Sequence, residues 1–263
     1  MYYIAQSSSL QDTSAAFMEQ TKYDPEPVPA LNYNPGEPKP VKACFVVLAR
    51  NKDWLEIRTS MRQMEDKFNG KFNYPYVFLN DEPFDENFKN MARSMTKATV
   101  KFGQIPKEHW SYPDWIDKEK ADHSRLEMAR NGVVYGGSES YRHMCRFESG
   151  FFYRHPLLAE FDYYWRVEPN IYYHCDINYD PFLYMKEHKI KYGFTIAPFE
   201  LMNTVPTLWD SVKKFMTTHK DLIPEHNSLW WVSRDNGTTY NGCQFWSNFE
   251  IADLSFYRGE AYS

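Results

Sequence analysis

The sequence predicts an α/β fold, and three observations carry that prediction. Residues 43–50 form an apolar run of strand length, residues 54–68 carry apolar side chains at helical spacing, and residues 74–81 return to strand character. Strand, helix, strand is how a parallel sheet with helical crossovers begins. A further aromatic segment, Tyr163-Tyr164-Trp165-Arg166-Val167, reads as another strand and stops on Glu168-Pro169. The length, 263 residues, is one that α/β domains often use.

Taken in order, residues 1–41 are polar, with prolines at 25, 27, 29, 35, 38 and 40, and read as a stem or extended arm. Residues 42–263 then form the folded domain. Its first strand is apolar throughout, as expected of a central strand buried on both faces. A helix over 85–95 leads to a strand near 98–102, a loop over 106–115 and a charged helix over 116–130. A long helical stretch over 138–159 is interrupted by Gly150 and Pro156. After the Glu168 strand come a short helix at 181–188, a strand at 192–197 and an amphipathic helix over 205–219. There is no internal repeat.

Aromatics make up 18% of residues, which suits either a ligand cleft lined with rings or a core rich in them. The net charge of −5 comes without a basic block, so nucleic acid is not an expected partner. No apolar run reaches the ~18 residues that a membrane span needs, so the sequence reads as soluble, with any anchor outside it. Cys44, Cys145, Cys175 and Cys243 form no CxxC pair, which argues against zinc and leaves either disulfides or free thiols open. Asn236-Gly237-Thr238 is an N-glycosylation sequon in a polar, loop-like stretch.

Three constellations offer chemistry. Glu168, a lone carboxylate at a strand end, can reach a divalent metal or a sugar hydroxyl; taken alone, the segment reads more readily as an exposed charge where Pro169 stops the strand. Arg142 and Arg146 share one face of a helix and suit a diphosphate, an acidic neighbour or solvent, while His143 has no metal-ligand spacing. The segment 242–250 ends an aromatic and amide cluster on Glu250. It reads either as a partly desolvated acid near a developing oxocarbenium centre or as the start of a helix. Walker, GxGxxG, GxSxG and HExxH patterns are absent.

Together, YRHMCRF, SGFFYRHPLL, YYWRVEP, CDINYDPF and GCQFWSNFEIADL closely resemble the fungal Golgi α-1,2-mannosyltransferases of glycosyltransferase family 15. The resemblance runs in order from about Ala43 to the end of the chain. It implies a glycosyltransferase A-type fold, a Rossmann-like mixed sheet flanked by helices. It further implies transfer of mannose from GDP-mannose, with Mn²⁺ and retention of configuration, to mannose-terminated N- or O-linked glycans. The implied location is the Golgi lumen, and family members are type II membrane proteins. By resemblance, Glu168 is the metal-contacting acid of the family's Glu-Pro-Asp motif, Arg50 the guanine-nucleotide contact and Tyr141 a residue near the donor. Arg166 joins them in the donor pocket, and Glu250 is the carboxylate facing the anomeric carbon.

Two positions depart from the family pattern: Asn170 stands for the motif's Asp, and Gln244 for a frequent His. The family also continues beyond Ser263 with an acceptor-side segment and a metal-binding histidine, so the chain reads as truncated. Those departures motivate an alternative, a glycan- or nucleotide-binding pseudoenzyme. A third reading makes Glu168 and Glu250 the paired acids of a glycoside hydrolase, which in a retaining enzyme stand ~5–5.5 Å apart.

Overall fold

A computed structural model describes residues 41–262 of the chain. The expected arm over 1–41 lies outside the described residues except for Val41, which is buried in the core and so belongs to the folded domain. The sheet has six strands in the order β3-β2-β1-β4-β6-β5. At its centre β1 (Ala43–Leu48) pairs in parallel with β2 (Tyr76–Asn80) and β4 (Tyr163–Arg166), and β3 (Val100–Gln104) adds in parallel to β2. On the other flank β6 (Glu250–Asp253) runs antiparallel to β4, and β5 (Tyr192–Phe194) antiparallel to β6. The expected mixed, Rossmann-like sheet is therefore present.

Alternation along β1 sends side chains into two separate cores, which is why its sequence is apolar without a break. Ala43, Phe45 and Val47 pack into a layer with Ile57, Met61 and Met64 of α1 (Trp54–Met64) and Phe88 of α2 (Glu86–Met95). Cys44 and Val46 face the opposite layer, with Phe147 of α4 (Glu139–Gly150), Phe152 and Leu158. Much of the aromatic excess goes into these cores: Phe45, for example, meets Tyr76 at 4.7 Å and Trp165 at 5.7 Å between ring centroids. Each such side chain contributes roughly 1.5–3 kcal/mol by burial.

Several boundaries move for local reasons. The first helix runs past Met64 through a π-helical turn, Glu65–Asn69, and ends at Phe72, where Asn73 takes a left-handed conformation. The stretch predicted helical over 138–159 stops at Gly150, and two 3-10 turns, Phe152–Arg154 and Pro156–Leu158, follow. Proline tolerates a first helical turn but not an interior, so Pro156 starts the second turn. Gly103 on β3 is needed for packing, since a Cβ there would lie 2.6 Å from the His155 ring and 2.9 Å from Leu157 and Leu79.

The remaining helices are α3 (Lys118–Arg130), α5 (Pro181–Glu187), α6 (Leu208–Thr218), α7 (Leu229–Val232) and α8 (Leu254–Tyr257). Glu250 opens a strand, and the alternative of a helix start there is overturned. The helix begins at Leu254 instead, after Asp253, whose side chain caps α8 by accepting from the Ser255 N–H at 2.8 Å. Among the described residues no helix is long and apolar enough to cross a membrane.

Candidate active site

Parallel strands aim their carboxyl ends at one edge of a sheet, and ligands of open α/β sheets bind outside that edge. Arg50 lies two residues beyond β1, and Glu168 two residues beyond β4. Because β6 runs the other way, its first residue, Glu250, arrives at the same edge. The register that pairs Trp165 with Ile251 sets Arg166 and Glu250 at the next step along the ladder. A cavity of about 1040 Å³ opens there, and Arg50, Tyr141, Arg166, Glu168 and Glu250 all line it.

Arg166 organises the acids. It is buried, and its Nε donates to Glu168 Oε1 at 2.5 Å while Nη1 stands 4.0 Å from Glu148 Oε2. Burial alone would favour its neutral form, but the charges of Glu148, Glu168 and Glu250 outweigh that and raise its pKa well above the ordinary value. Glu148 is pushed up to about 7, chiefly by burial, with Arg166 pulling the other way and Glu168 and Glu250 adding to the rise.

Glu250 is held from two strands. Tyr164 of β4 donates to Oε1, and Tyr192 of β5 donates to Oε2 at 2.6 Å. The Tyr164 hydroxyl also lies 3.1 Å from that of Tyr257. The acid is 5% exposed and is therefore desolvated as expected, but tyrosine hydroxyls, not Phe and Trp rings, meet its oxygens.

Glu168 is exposed strand-end charge only in part. Its side chain is 24% exposed and faces the cavity. Behind it the chain is fastened by Ser60 of α1, fully buried, whose Oγ donates to the Glu168 carbonyl at 2.8 Å and accepts the Ile171 N–H at 3.0 Å. Asn170 stands in this turn at φ +58°, exposed and away from the cavity lining, with its N–H donated to the Glu56 carbonyl. Asn tolerates the left-handed region better than most residues. The difference from the family's Asp thus falls on a backbone turn and does not remove a cavity group.

Arg50 is mostly exposed and is clamped by Asp53, with Nε to Oδ2 and Nη2 to Oδ1 both at 2.9 Å. Tyr141 lies in the first turn of α4, whose N-cap Ser138 accepts from its N–H, and stacks on Tyr135 with centroids 5.0 Å apart. Arg142 and Arg146 do not line the cavity. Arg142 reaches the Gly136 carbonyl and Arg146 the Glu108 and Ser111 carbonyls, so the diphosphate clamp considered for them is overturned. Gln244 is also absent from the lining, and all four cysteines are free.

Glu148, Tyr164, Tyr192 and Ser60 escaped the sequence reading. Glu148 had a signal: Tyr141, Met144, Cys145 and Glu148 recur at helical spacing, and all four line the cavity. The others act across the sheet or between helix and loop, which no local pattern reveals.

Among the described residues no three His, Cys, Asp or Glu side chains are grouped to hold a metal by themselves. Glu168 offers a single carboxylate whose Oε1 is engaged by Arg166. A single carboxylate suits a hard divalent cation, which would need its further ligands from groups outside this cluster.

Residues 3–263 match the family described as glycolipid 2-alpha-mannosyltransferase. Glycolipid 2-alpha-mannosyltransferase 2 of Candida albicans is 55% identical over 229 residues, 87% of this chain and 50% of that protein. Alpha-1,2 mannosyltransferase KTR1 of Saccharomyces cerevisiae is 56% identical over 222 residues, 84% of this chain and 56% of its own length. The crystal structure of core-mannan synthase A (CmsA/Ktr4) from Aspergillus fumigatus, in its Mn/GDP form, superposes with a TM-score of 0.83 at 38% identity. That match covers 89% of this chain and 64% of the other. The mannosyltransferase Ktr4p of S. cerevisiae in complex with GDP gives a TM-score of 0.82, also at 38% identity, over 85% of this chain and 59% of that one. The chain spans about half the length of the curated relatives it matches.

Proposed function

The chain belongs to the glycolipid 2-alpha-mannosyltransferase family, and from that premise we propose that it serves the transfer of mannose from GDP-mannose to mannose-terminated N- or O-linked glycans, forming α-1,2 linkages with retention. The observation that carries the proposal is the convergence of Arg50, Tyr141, Arg166, Glu168 and Glu250 on one cavity at the carboxyl edge of the sheet. Similar chains have been crystallised with Mn and GDP, or with GDP.

In this reading Arg50 and Tyr141 receive the nucleotide, and Glu168 anchors Mn²⁺. The ion supplies charge neutralisation for the departing diphosphate when bound. Arg166 orients Glu168, and its charge offsets those of Glu148, Glu168 and Glu250. Glu250, fixed by two tyrosine hydroxyls, presents a carboxylate to the anomeric carbon, where it stabilises positive charge developing on the sugar. A covalent mannosyl-enzyme and a same-face return of the acceptor both use an acid so placed. The proposed location is the Golgi lumen.

The pseudoenzyme alternative is not favoured, since Asn170 lies outside the cavity lining. The hydrolase reading gives way to the family.

Calorimetric titration of GDP with Mn²⁺, and then with excess chelator, tests the donor site, and transfer from GDP-mannose to methyl α-mannoside tests turnover. Metal-dependent binding that is lost in Glu168→Ala is expected. Transfer should fall by at least about a hundredfold in Glu250→Gln, the scale of losing an electrostatic stabiliser of the transition state. Equal GDP affinity with and without metal would remove Glu168 from its role. Full transfer by Glu250→Gln would do the same for Glu250.

A further inference from the structure

Asn236-Gly237-Thr238 is the single Asn-x-Ser/Thr triplet of the chain in which x is not proline. It follows α7 and sits on the tip of a turn that is fixed from below. Ser233, buried, donates to Asp235 Oδ1 at 2.8 Å and accepts the Gly237 N–H at 2.8 Å. The Asp235 carboxylate takes both the N–H and the hydroxyl of Thr239, at 2.8 and 2.7 Å. These bonds, with the Thr239 N–H first, hold Asp235 down to about 2, so the turn keeps its charge clamp at any pH of a secretory compartment. Trp209 adds a bond from Nε1 to the Gly237 carbonyl at 3.1 Å.

Asn236 itself stands clear of this scaffold. Its backbone is left-handed, with φ +55°, followed by Gly237 at φ +90°, and the residue is exposed. Its amide makes no hydrogen bond to any described residue, so a substituent on Nδ2 displaces nothing. Thr238 is exposed as well, its hydroxyl donating to the Asp235 carbonyl at 2.9 Å. Neither residue lines the cavity, so a large polar group here leaves the candidate active site open.

A second triplet shows by contrast what an unavailable asparagine looks like. Asn241-Gly242-Cys243 has the weaker Asn-x-Cys form, and Asn241 is half-buried. Its Nδ2 donates to the Trp231 carbonyl and its Oδ1 accepts the Cys243 N–H, both at 2.8 Å. Glycosylating it would place a sugar on a nitrogen already committed to that carbonyl, in a half-buried setting.

We propose that Asn236 is an acceptor for an N-linked oligosaccharide and that Asn241 is not. The proposal rests on the lumenal location read above, because the donor, an oligosaccharide on a polyprenyl diphosphate, is used on the lumenal side of a secretory membrane. The new bond joins Asn236 Nδ2 to the anomeric carbon of the reducing-end sugar. The bond from that carbon to the diphosphate oxygen breaks, polyprenyl diphosphate leaves, and one amide proton passes to solvent. A purely conformational role for Asn-Gly as a turn pair is the competing account.

The test separates these from each other and from the location. The full chain is translated into microsomes behind a cleavable secretion signal, with an engineered Asn-x-Thr tag after Ser263 that reports lumenal entry on its own. Chains glycosylated at the tag are scored by mobility and by mass of the tryptic peptides after peptide-N-glycosidase in heavy-oxygen water. Two glycans are expected, one on the tag and one on Asn236. Asn236→Asp, which keeps the turn chemistry, and Thr238→Ala should each drop to one glycan, while Thr238→Ser keeps two. Tag-only glycosylation of the unaltered chain, or a second glycan found at Asn241, would overturn the proposal. Since the added signal imposes lumenal entry, a native location elsewhere would refute the location and leave this result readable.

Discussion

At the scale of single residues, the cavity separates groups that touch it from groups that only shape the backbone. Asn170 belongs to the second kind: its left-handed φ is one that Asn and Asp both tolerate, and its side chain lies outside the lining. Asn170→Asp is therefore expected to change Mn²⁺-dependent GDP affinity less than twofold, as read by calorimetry; a larger change would give residue 170 a ligand role after all. Glu148 belongs to the first kind. Its folded pKa of about 7 lies above the ordinary 4.5, so between those values the folded chain keeps a proton that the unfolded chain has lost. The sign follows: stability associated with Glu148 is full below about pH 4.5, declines as pH rises and is lost above about 7. Chemical denaturation of the metal-free chain against pH should show this decline, at most on the order of 3 kcal/mol at 1.36 kcal/mol per unit. Glu148→Gln should flatten it.

At the scale of elements, the site is held by pairings between distant segments. The loop after β4 is fastened to α1 by Ser60, which satisfies the Glu168 carbonyl and the Ile171 N–H together. Ser60→Ala leaves both groups without that partner in a buried setting, which costs about 1–3 kcal/mol of stability. The same change is expected to weaken Mn²⁺-dependent GDP binding, because the turn carrying Glu168 loses its tether. Denaturation and calorimetry on one variant read both effects, and unaltered GDP affinity alongside reduced stability would make Ser60 purely structural. Glu250 depends similarly on β4 and β5. A strand of four residues between two partners brings it there, and its antiparallel direction is what delivers the first residue of β6 to the carboxyl end of β4.

At the scale of the whole molecule, ligand binding at the carboxyl edge should stabilise the fold by mass action. With GDP and Mn²⁺ present at about a hundredfold over the dissociation constant, the gain is about 2.7 kcal/mol. A thermal melt should show it as a rise in Tm that disappears with chelator and in Glu168→Ala; a rise that survives in both would mean that GDP binds without the metal anchor. The sequence by itself determined the α/β class, the central parallel strands and five candidate residues that share one cavity. The class and the strands rest on local properties, an unbroken apolar run and a helical period, and Glu168 on an acid at a strand end, whereas the assignments of Arg50, Tyr141 and Arg166 came from the resemblance to the family. Only the tertiary structure decided that Glu250 opens an antiparallel strand, that Arg142 and Arg146 serve backbone carbonyls, and that Glu148, Ser60, Tyr164 and Tyr192 hold the acids in place. Those outcomes depend on strand direction, register and the packing of residues far apart in the chain. Hydrogen bonds from Ser60 to Glu168 and from Tyr164 to Glu250 cross 108 and 86 residues, distances over which local periodicity carries no information.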